Sequence, residues 1–385
     1  MKQLLQERRL KIALDEQGEM PLVSVIMSCY NHERFVGEAV ESVINQTYQN
    51  IEFIIADDGS GDGSVEILKG YSGHFSEEHY FEKNEGGRGA FLISRTKGKY
   101  VALMNSDDIW EPEKLEKQVM IMERNSKYSA CFTWCHYTDE NLNIMKNDLF
   151  CQNNKSKEEW LRQFFHQMNS LCHPSILIKR ELYLDLVQEG RRAFRQLPDF
   201  AMWVRLVQKE EIYLIPEIFV KMRRHHAENT ANVSGQTSQN INRHFNDLMY
   251  LWYSEIKEMD AECFRGAFQQ DFINKKAESD IEISCEKFFL LKNQKSSAFK
   301  IVAMLLFFDL YKEFRIAKCF EEKYAFGRKD FYKFNGEIGI YRLEAENRSL
   351  SERNKQLENK LIELEKASSK KREKKRGLRF FRKES

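Results

Sequence analysis

The stretch K-Y-V-A-L-M-N-S-D-D-I-W, residues 99–110, opens as an apolar run and closes on carboxylates. Tyr100–Met104 is too short and too rich in strand formers for a free-standing helix, so a buried strand is expected. Asn105, Ser106, Asp107 and Asp108 then fall at the strand's end. Buried carboxylates are costly unless something positive meets them. Oxygen ligands at the C-terminal end of a buried strand suit a divalent cation carrying phosphate. Taken alone, the two aspartates read more readily as caps of the helix expected near Pro112.

The sequence upstream weakens that capping reading. Leu22–Cys29 is a continuous apolar run rich in β-branched residues, expected as a strand buried on both faces of a parallel sheet. After the turn Tyr30-Asn31-His32, the residues Phe35, Val36, Ala39, Val40, Val43 and Ile44 repeat at helical spacing. Ile51–Ala56 reads as a second strand, which completes a right-handed β-α-β unit. That strand runs into D-D-G-S-G-D-G-S, residues 57–64, where glycines allow close approach of a ligand to the backbone. Tyr80–Glu82 reads as a short third strand, and Gly86–Lys97 should contain a helix. Polar groups thus gather at the C-terminal ends of alternating strands, the pattern of an open α/β sheet with a ligand crevice.

Downstream, helical spacing runs from Pro112 to about Asn125. A strand over Ser129–Tyr137, a turn at Asp139–Asn143 and a helix over Trp160–Met168 follow. His173–Ile178 is expected as a strand, with a helix from Arg180. Leu197-Pro198-Asp199 opens the helix Phe200–Gln208. Glu211–Ile215 and Phe219–Met222 read as two short strands flanking Pro216. Residues 241–334 are mostly helical. A seven-residue repeat of Leu343, Leu350, Leu357 and Leu364 then suggests a parallel two-stranded coiled coil, with Asn347 and Asn354 setting register.

Composition bounds the rest. A net charge of +1 over 385 residues gives no global field for nucleic acid, so no such partner is expected. Eight scattered cysteines without a C-x-x-C pair read as reduced, mostly buried thiols. The Cys131 and Cys135 pair reads as core packing. The charged N-terminus lacks the apolar centre of a signal peptide, and the longest apolar run, Ile301–Phe308, is far short of a membrane span. A cytoplasmic location is expected. Residues 366–385 carry ten Lys or Arg against Glu373 and Glu384, with Leu378, Phe380 and Phe381 among them. Such a tail suits peripheral contact with the inner face of the cell membrane, or else a solvated basic tail.

In order and spacing, P-L-V-S-V-I-M-S-C-Y-N, F-I-I-A-D-D-G-S and G-K-Y-V-A-L-M-N-S-D-D-I-W-E-P-E-K-L resemble the family 2 inverting glycosyltransferases. H-P-S-I-L-I, L-P-D-F-A-M-W-V-R-L and R-R-H-H-A-E-N-T extend the resemblance to Asn232. It implies a GT-A-type open mixed sheet flanked by helices, with a Rossmann-like nucleotide-binding half. The expected layout is a charged helix at 1–20, the catalytic domain at 21–235, a helical domain at 236–335, the coiled coil at 336–366 and the basic tail at 367–385.

By position, the resemblance implies Asp199 as the catalytic base and Asp107 with His225 as ligands of Mg²⁺ or Mn²⁺. It implies nucleotide-sugar contacts from Ser28, Tyr30, Asp57, Asp58, Ser106, Asp108 and Arg223. The expected reaction moves a sugar from a nucleoside-diphosphate sugar, a UDP-sugar first, to a glycan or lipid-linked acceptor with inversion, in cell-surface polysaccharide synthesis. Each residue also has an ordinary reading: Asp199 as a helix cap, Tyr30 as a strand-end aromatic, His225 as a surface histidine. Arg88 in N-E-G-G-R-G reads as a solvated arginine rather than a diphosphate ligand.

Two departures stand out. Many relatives have Asp where this chain has Asn105, and Asn84–Tyr100 is shorter than the family's segment. They leave two alternatives open, a degenerate transferase acting as an oligomeric scaffold and a nucleotidyltransferase making the sugar donor. The latter normally needs a Gly-rich basic loop after the first strand, where this chain has Tyr30-Asn31-His32.

Overall fold

The computed structural model describes residues 19–86, 88–145, 149–189, 194–225, 237–339, 350, 352–357 and 360. Its strands are β1 (Val23–Cys29), β2 (Ile51–Asp57), β3 (Glu77–Tyr80), β4 (Tyr100–Asn105), β5 (Ile109–Trp110), β6 (Tyr128–Thr138), β7 (Leu177–Lys179) and β8 (Glu211–Arg223). They join in one sheet, in the order β3-β2-β1-β4-β7-β6-β8-β5. β3, β2, β1 and β4 run parallel, β7 is antiparallel to both β4 and β6, and β8 is parallel to β6. The sheet is therefore mixed, with the helices α1 (Val36–Ile44), α2 (Ser64–Gly70), α3 (Arg88–Arg95), α4 (Lys114–Arg124), α5 (Lys157–Gln167), α6 (Arg180–Glu189) and α7 (Pro198–Lys209) between its strands.

β1 is buried along its length except at Ser28. Val36, Ala39, Val40 and Val43, three or four residues apart, put one face of α1 into the same core as Val23, Val25 and Met27. The chain leaves β1 for β2 and β3 on one side, then returns to place β4 on the other. That reversal is a topological switch point, where open α/β sheets bind ligands. Register brings the strand ends level: Cys29 pairs with Asp57, and Ser28 with Asn105.

Three expected elements differ. The third strand lies at Glu77–Tyr80, two or three residues earlier, because pairing of Ile54 with Glu77 and of Asp57 with Tyr80 sets its place. His173–Ser175 is a 3-10 turn, and only Leu177–Lys179 is strand. Pro174 has no N–H for a ladder, and its carbonyl accepts from Trp110 Nε1 at 2.9 Å. The two short strands around Pro216 are one, β8. Its register against β6 skips from Ile215 to Ile218, so Pro216 and Glu217 sit in a bulge where no ladder donor is required.

The helical region after the sheet comprises α8 (Ser238–Glu258), α9 (Ala261–Phe268), α10 (Asp280–Lys292), α11 (Ser297–Leu310), α12 (Phe314–Tyr324) and α13 (Arg328–Glu337). α8 is tied to α7 by a buried ion pair, Arg205 Nε to Glu255 Oε1 at 3.1 Å. Residues through Ile316 form one compact unit, and those from Ala317 a second. All eight cysteines are thiols outside any disulfide, six of them buried. Among the described residues, no helix is long and apolar enough to cross a membrane.

Most of the expected coiled coil lies outside the described residues, as do residues 1–18 and the basic tail. Leu350 and Leu357 are described and are exposed.

Candidate active site

Asn31 at the end of β1 has φ of 55°, a left-handed conformation that Asn tolerates better than most residues. That turn lets its Oδ1 accept from Gly61 N at 2.8 Å, while Asn31 N donates to Ser60 Oγ at 2.8 Å. The β1 and β2 loops are thereby locked together. Gly59 has φ of 75°, and a Cβ there would lie 2.7 Å from the Lys83 carbonyl carbon, so only glycine fits. Ser28 and Tyr30 stay exposed in front of this floor.

The two aspartates ending β2 are both bonded within the protein. Asp57 accepts from Ser60 N at 2.8 Å and from Ser60 Oγ at 2.5 Å. Asp58 accepts from Gly86 N at 2.9 Å, Glu85 N at 3.3 Å and Arg88 Nε at 2.7 Å. Arg88 is not a solvated arginine. Its guanidinium lies 3.7 Å above the Phe81 ring and its Nη2 donates to Lys83 O. A cation–π contact and a carboxylate partner hold it at the start of α3.

β4 ends in a division of labour. Asp108 points inward, accepting from Arg223 N at 2.9 Å and Asn105 Nδ2 at 2.8 Å. Burial, then the charge of Asp107, push its carboxyl well above the usual range. Asn105 thus serves as a donor to Asp108, a bond an ionised Asp at that place could not make. Arg223 is buried, donates Nη1 to Asp107 O at 2.8 Å, and ion-pairs with Glu38. It braces the loop from behind. Ser106, also buried, meets His32 Nδ1 at 2.8 Å.

Asp107 is less buried than Asp108, and two imidazoles face it. His225 Nε2 lies 2.8 Å from Asp107 Oδ2, and His32 Nε2 lies 4.0 Å from the same oxygen. The three ligand atoms all lie within 4.8 Å of one another. Burial pushes the Asp107 carboxyl up, but the bond from His225 and the nearby His32 bring it below the usual range. His225 is raised by its bond to Asp107, and His32 is lowered by burial. One carboxylate oxygen and two imidazole nitrogens are donors suited to a divalent cation, so these residues fit the metal that the sequence implied.

Asp199 stands apart from this network. Pro198 opens α7, and Asp199 Oδ1 accepts from Phe200 N at 2.8 Å. Its Oδ2 meets Asn169 Nδ2 at 3.5 Å, the outer limit of a hydrogen bond. The loop before it is fixed by α8, where Asp247 Oδ2 accepts from Arg195 N at 3.0 Å and Gln196 N at 2.8 Å. His173, half-buried with its ring 5.7 Å from that of Trp203, is lowered by desolvation, which the charge of Asp199 opposes.

His32, Glu140, Glu38 and Asp247 were not singled out from the sequence. His32 had a signal, as the residue two past an exposed strand-end tyrosine. The others are joined to the site by contacts between residues 51 to 185 positions apart, which no local pattern records.

The mixed sheet, with its switch point between β1 and β4, has the architecture of the GT-A fold. A protein-family model described as "Glycosyl transferase family 2" matches residues 24–186. An uncharacterized glycosyltransferase of Methanocaldococcus jannaschii is 31% identical over 255 residues, 61% of this chain and 86% of that protein. The chain belongs to glycosyl transferase family 2. A putative teichuronic acid biosynthesis glycosyltransferase of Bacillus subtilis is 33% identical over 201 residues, 49% of this chain and 73% of that one. Among solved structures, residues 1–349 of S. aureus TarS superpose with a TM-score of 0.51 at 14% identity, covering 79% of this chain and 91% of that one, a likeness of fold.

Proposed function

We propose that the protein is a metal-assisted, inverting transferase that moves a sugar from a nucleoside-diphosphate sugar to a hydroxyl of a glycan or lipid-linked acceptor. The observation that carries this reading is the separation of two polar centres. Asp107 and His225 face the crevice at the end of β4, and Asp199 sits on another element with its carboxylate only lightly bonded. Ser28, Tyr30 and the Asp57-Asp58 loop would receive the nucleoside. Asp57, Asp58, Ser106, Asp108 and Arg223 act mainly by holding the walls of that pocket.

A divalent cation held by Asp107 and His225 would offset the negative charge gathering on the departing diphosphate. Asp199 takes the proton of the acceptor hydroxyl as its oxygen bonds to the anomeric carbon. The bond from that carbon to phosphate oxygen breaks, and its electron pair leaves with the nucleoside diphosphate. Attack opposite the leaving group inverts the centre.

The relative named for teichuronic acid biosynthesis supports a role in cell-surface polysaccharide synthesis, with a UDP-sugar as the first donor to try. The 343–364 leucine repeat supports a homodimer, and the basic tail supports contact with anionic lipid at the inner membrane face. The test is a panel of nucleoside-diphosphate sugars with Mn²⁺ and polyprenyl-linked or oligosaccharide acceptors, scoring diphosphate release and the product's anomeric configuration. Release that persists in EDTA, or a product of retained configuration, would overturn the reading.

A further inference from the structure

The loop between β1 and α1 and the residues just past β8 each bring a histidine to Asp107. Both rings are arranged alike. The Nδ1 side of each faces an oxygen, Ser106 Oγ at 2.8 Å for His32 and Glu140 Oε1 at 3.5 Å for His225. Glu140 is itself held by Arg34 Nη1 at 2.8 Å. The Nε2 side of each faces Asp107 Oδ2, and the rings stack at 5.8 Å and 27°. Metal-bound histidines commonly donate their second ring N–H to an oxygen, which fixes tautomer and orientation.

An ion pair with Asp107 explains His225 but not His32. At 4.0 Å the His32 Nε2 is beyond hydrogen-bond reach of the carboxylate, yet Ser106 keeps it aimed there. A cation among the three ligand atoms would engage all of them.

We propose that His32 is a third protein ligand, so that this chain binds a divalent transition-metal ion before any nucleotide arrives. The inference rests on the metal reading given above and goes beyond it. A site that relies on one carboxylate and substrate phosphate suits Mg²⁺, which keeps its waters and needs few protein ligands. Two imidazoles beside one carboxylate favour Mn²⁺ and the later transition ions over Mg²⁺. The nucleoside diphosphate would then enter a site whose charge is already set.

The experiment titrates the full-length chain with MnCl₂, following free Mn²⁺ by EPR, first alone and then with UDP. Wild type should take up one Mn²⁺ per chain without UDP, and a tenfold excess of Mg²⁺ should not displace it. Pulsed EPR should resolve two coupled imidazole nitrogens, and one in His32→Gln. That variant should bind Mn²⁺ about 10–100-fold more weakly without UDP. Ser106→Ala, which leaves both rings present, should weaken binding by a smaller factor and keep two nitrogens. Thermal melting shows whether either variant is folded. No uptake by wild type without UDP, or equal affinity in folded His32→Gln, overturns the proposal. If Mn²⁺ then binds with UDP present, the metal reading stands without His32. If it binds in neither condition, both fall.

Discussion

The strand ends proposed for the donor and the Asp199 side proposed for the acceptor are built by different rules. At the ends of β1, β2 and β4, the polar groups bond one another through short, neighbouring loops: Asn31 with the 60–61 turn, Asp58 with 85–88, Asn105 with Asp108. Asp199 has a backbone N–H beside it and one distant amide. Saturated polar groups are rigid, and a sparsely bonded carboxylate remains able to take a proton. A pocket that must hold a diphosphate of fixed shape can be rigid, whereas a base must meet a hydroxyl that arrives with the acceptor.

The comparison breaks first at Asp107. Asp107→Ala removes the carboxylate that both histidines face. Transfer should fall by about three orders of magnitude or more, the several kcal/mol that a cation supplies at a developing oxyanion. Metal-assisted binding of UDP should be lost with it, as isothermal titration would show. Full activity of this variant in EDTA would mean that the donor side works without a cation.

Asp199→Asn tests the acceptor side alone. The amide is nearly isosteric but accepts no proton, so kcat should drop by about 10²–10⁴-fold while the Kd for UDP is unchanged. Loss of donor binding together with a lowered melting temperature would make Asp199 a structural cap.

A smaller effect is expected at Asp247. Its carboxylate fixes Arg195 N and Gln196 N ahead of Asp199. Asp247→Ala leaves those donors unheld, and a base displaced by about 1 Å can cost up to 10²-fold. We expect kcat to fall by about 10-fold with the donor KM unchanged. A matching rise in donor KM would show that the two sides are not separable.

The same contrast explains what the sequence revealed. β1, α1, β2 and β4 were legible because their apolar runs and short polar ends record the local rules of a parallel sheet. The donor-side aspartates were legible for the same reason, but their orientation was not. Nothing in N-S-D-D says that Asp107 faces the crevice while Asp108 turns inward to meet Arg223, 115 residues later. Arg88 was misread because a lone arginine after two glycines looks solvated until Asp58 and Phe81 close around it. His173–Ile178 looked like one strand because its side chains suit a strand, and Pro174 broke the ladder. Around Asp199 only the aspartate itself was legible, since Asn169 meets it, and Asp247 the loop before it, through tertiary contacts.

The smallest effect concerns a buried polar group in the core that supports the β4–β5 turn. Beside β5 and β6, Lys114 is fully buried, with its ammonium 3.7 Å over the Trp110 ring and donating to Gln118 Oε1 at 2.9 Å. Gln118 in turn donates to Cys131 O at 2.8 Å and Ser175 O at 2.7 Å. No carboxylate is bonded to this lysine, and burial lowers it from 10.5 to about 7. In the unfolded chain it keeps its ordinary value. Between pH 7 and 10.5 the unfolded lysine therefore holds a proton that the folded one has lost, and stability from this group rises with pH. Lys114→Met keeps the stem over Trp110 and removes the titration. Wild type should gain melting temperature from pH 7 to pH 9 relative to the variant, and the variant should be at least as stable at pH 7. Both should bind UDP and Mn²⁺ alike, because the partners of Lys114 are Trp110 and Gln118, outside the Asp107 cluster. A melting curve for wild type that tracks the variant's across that range would place a counter-charge beside Lys114.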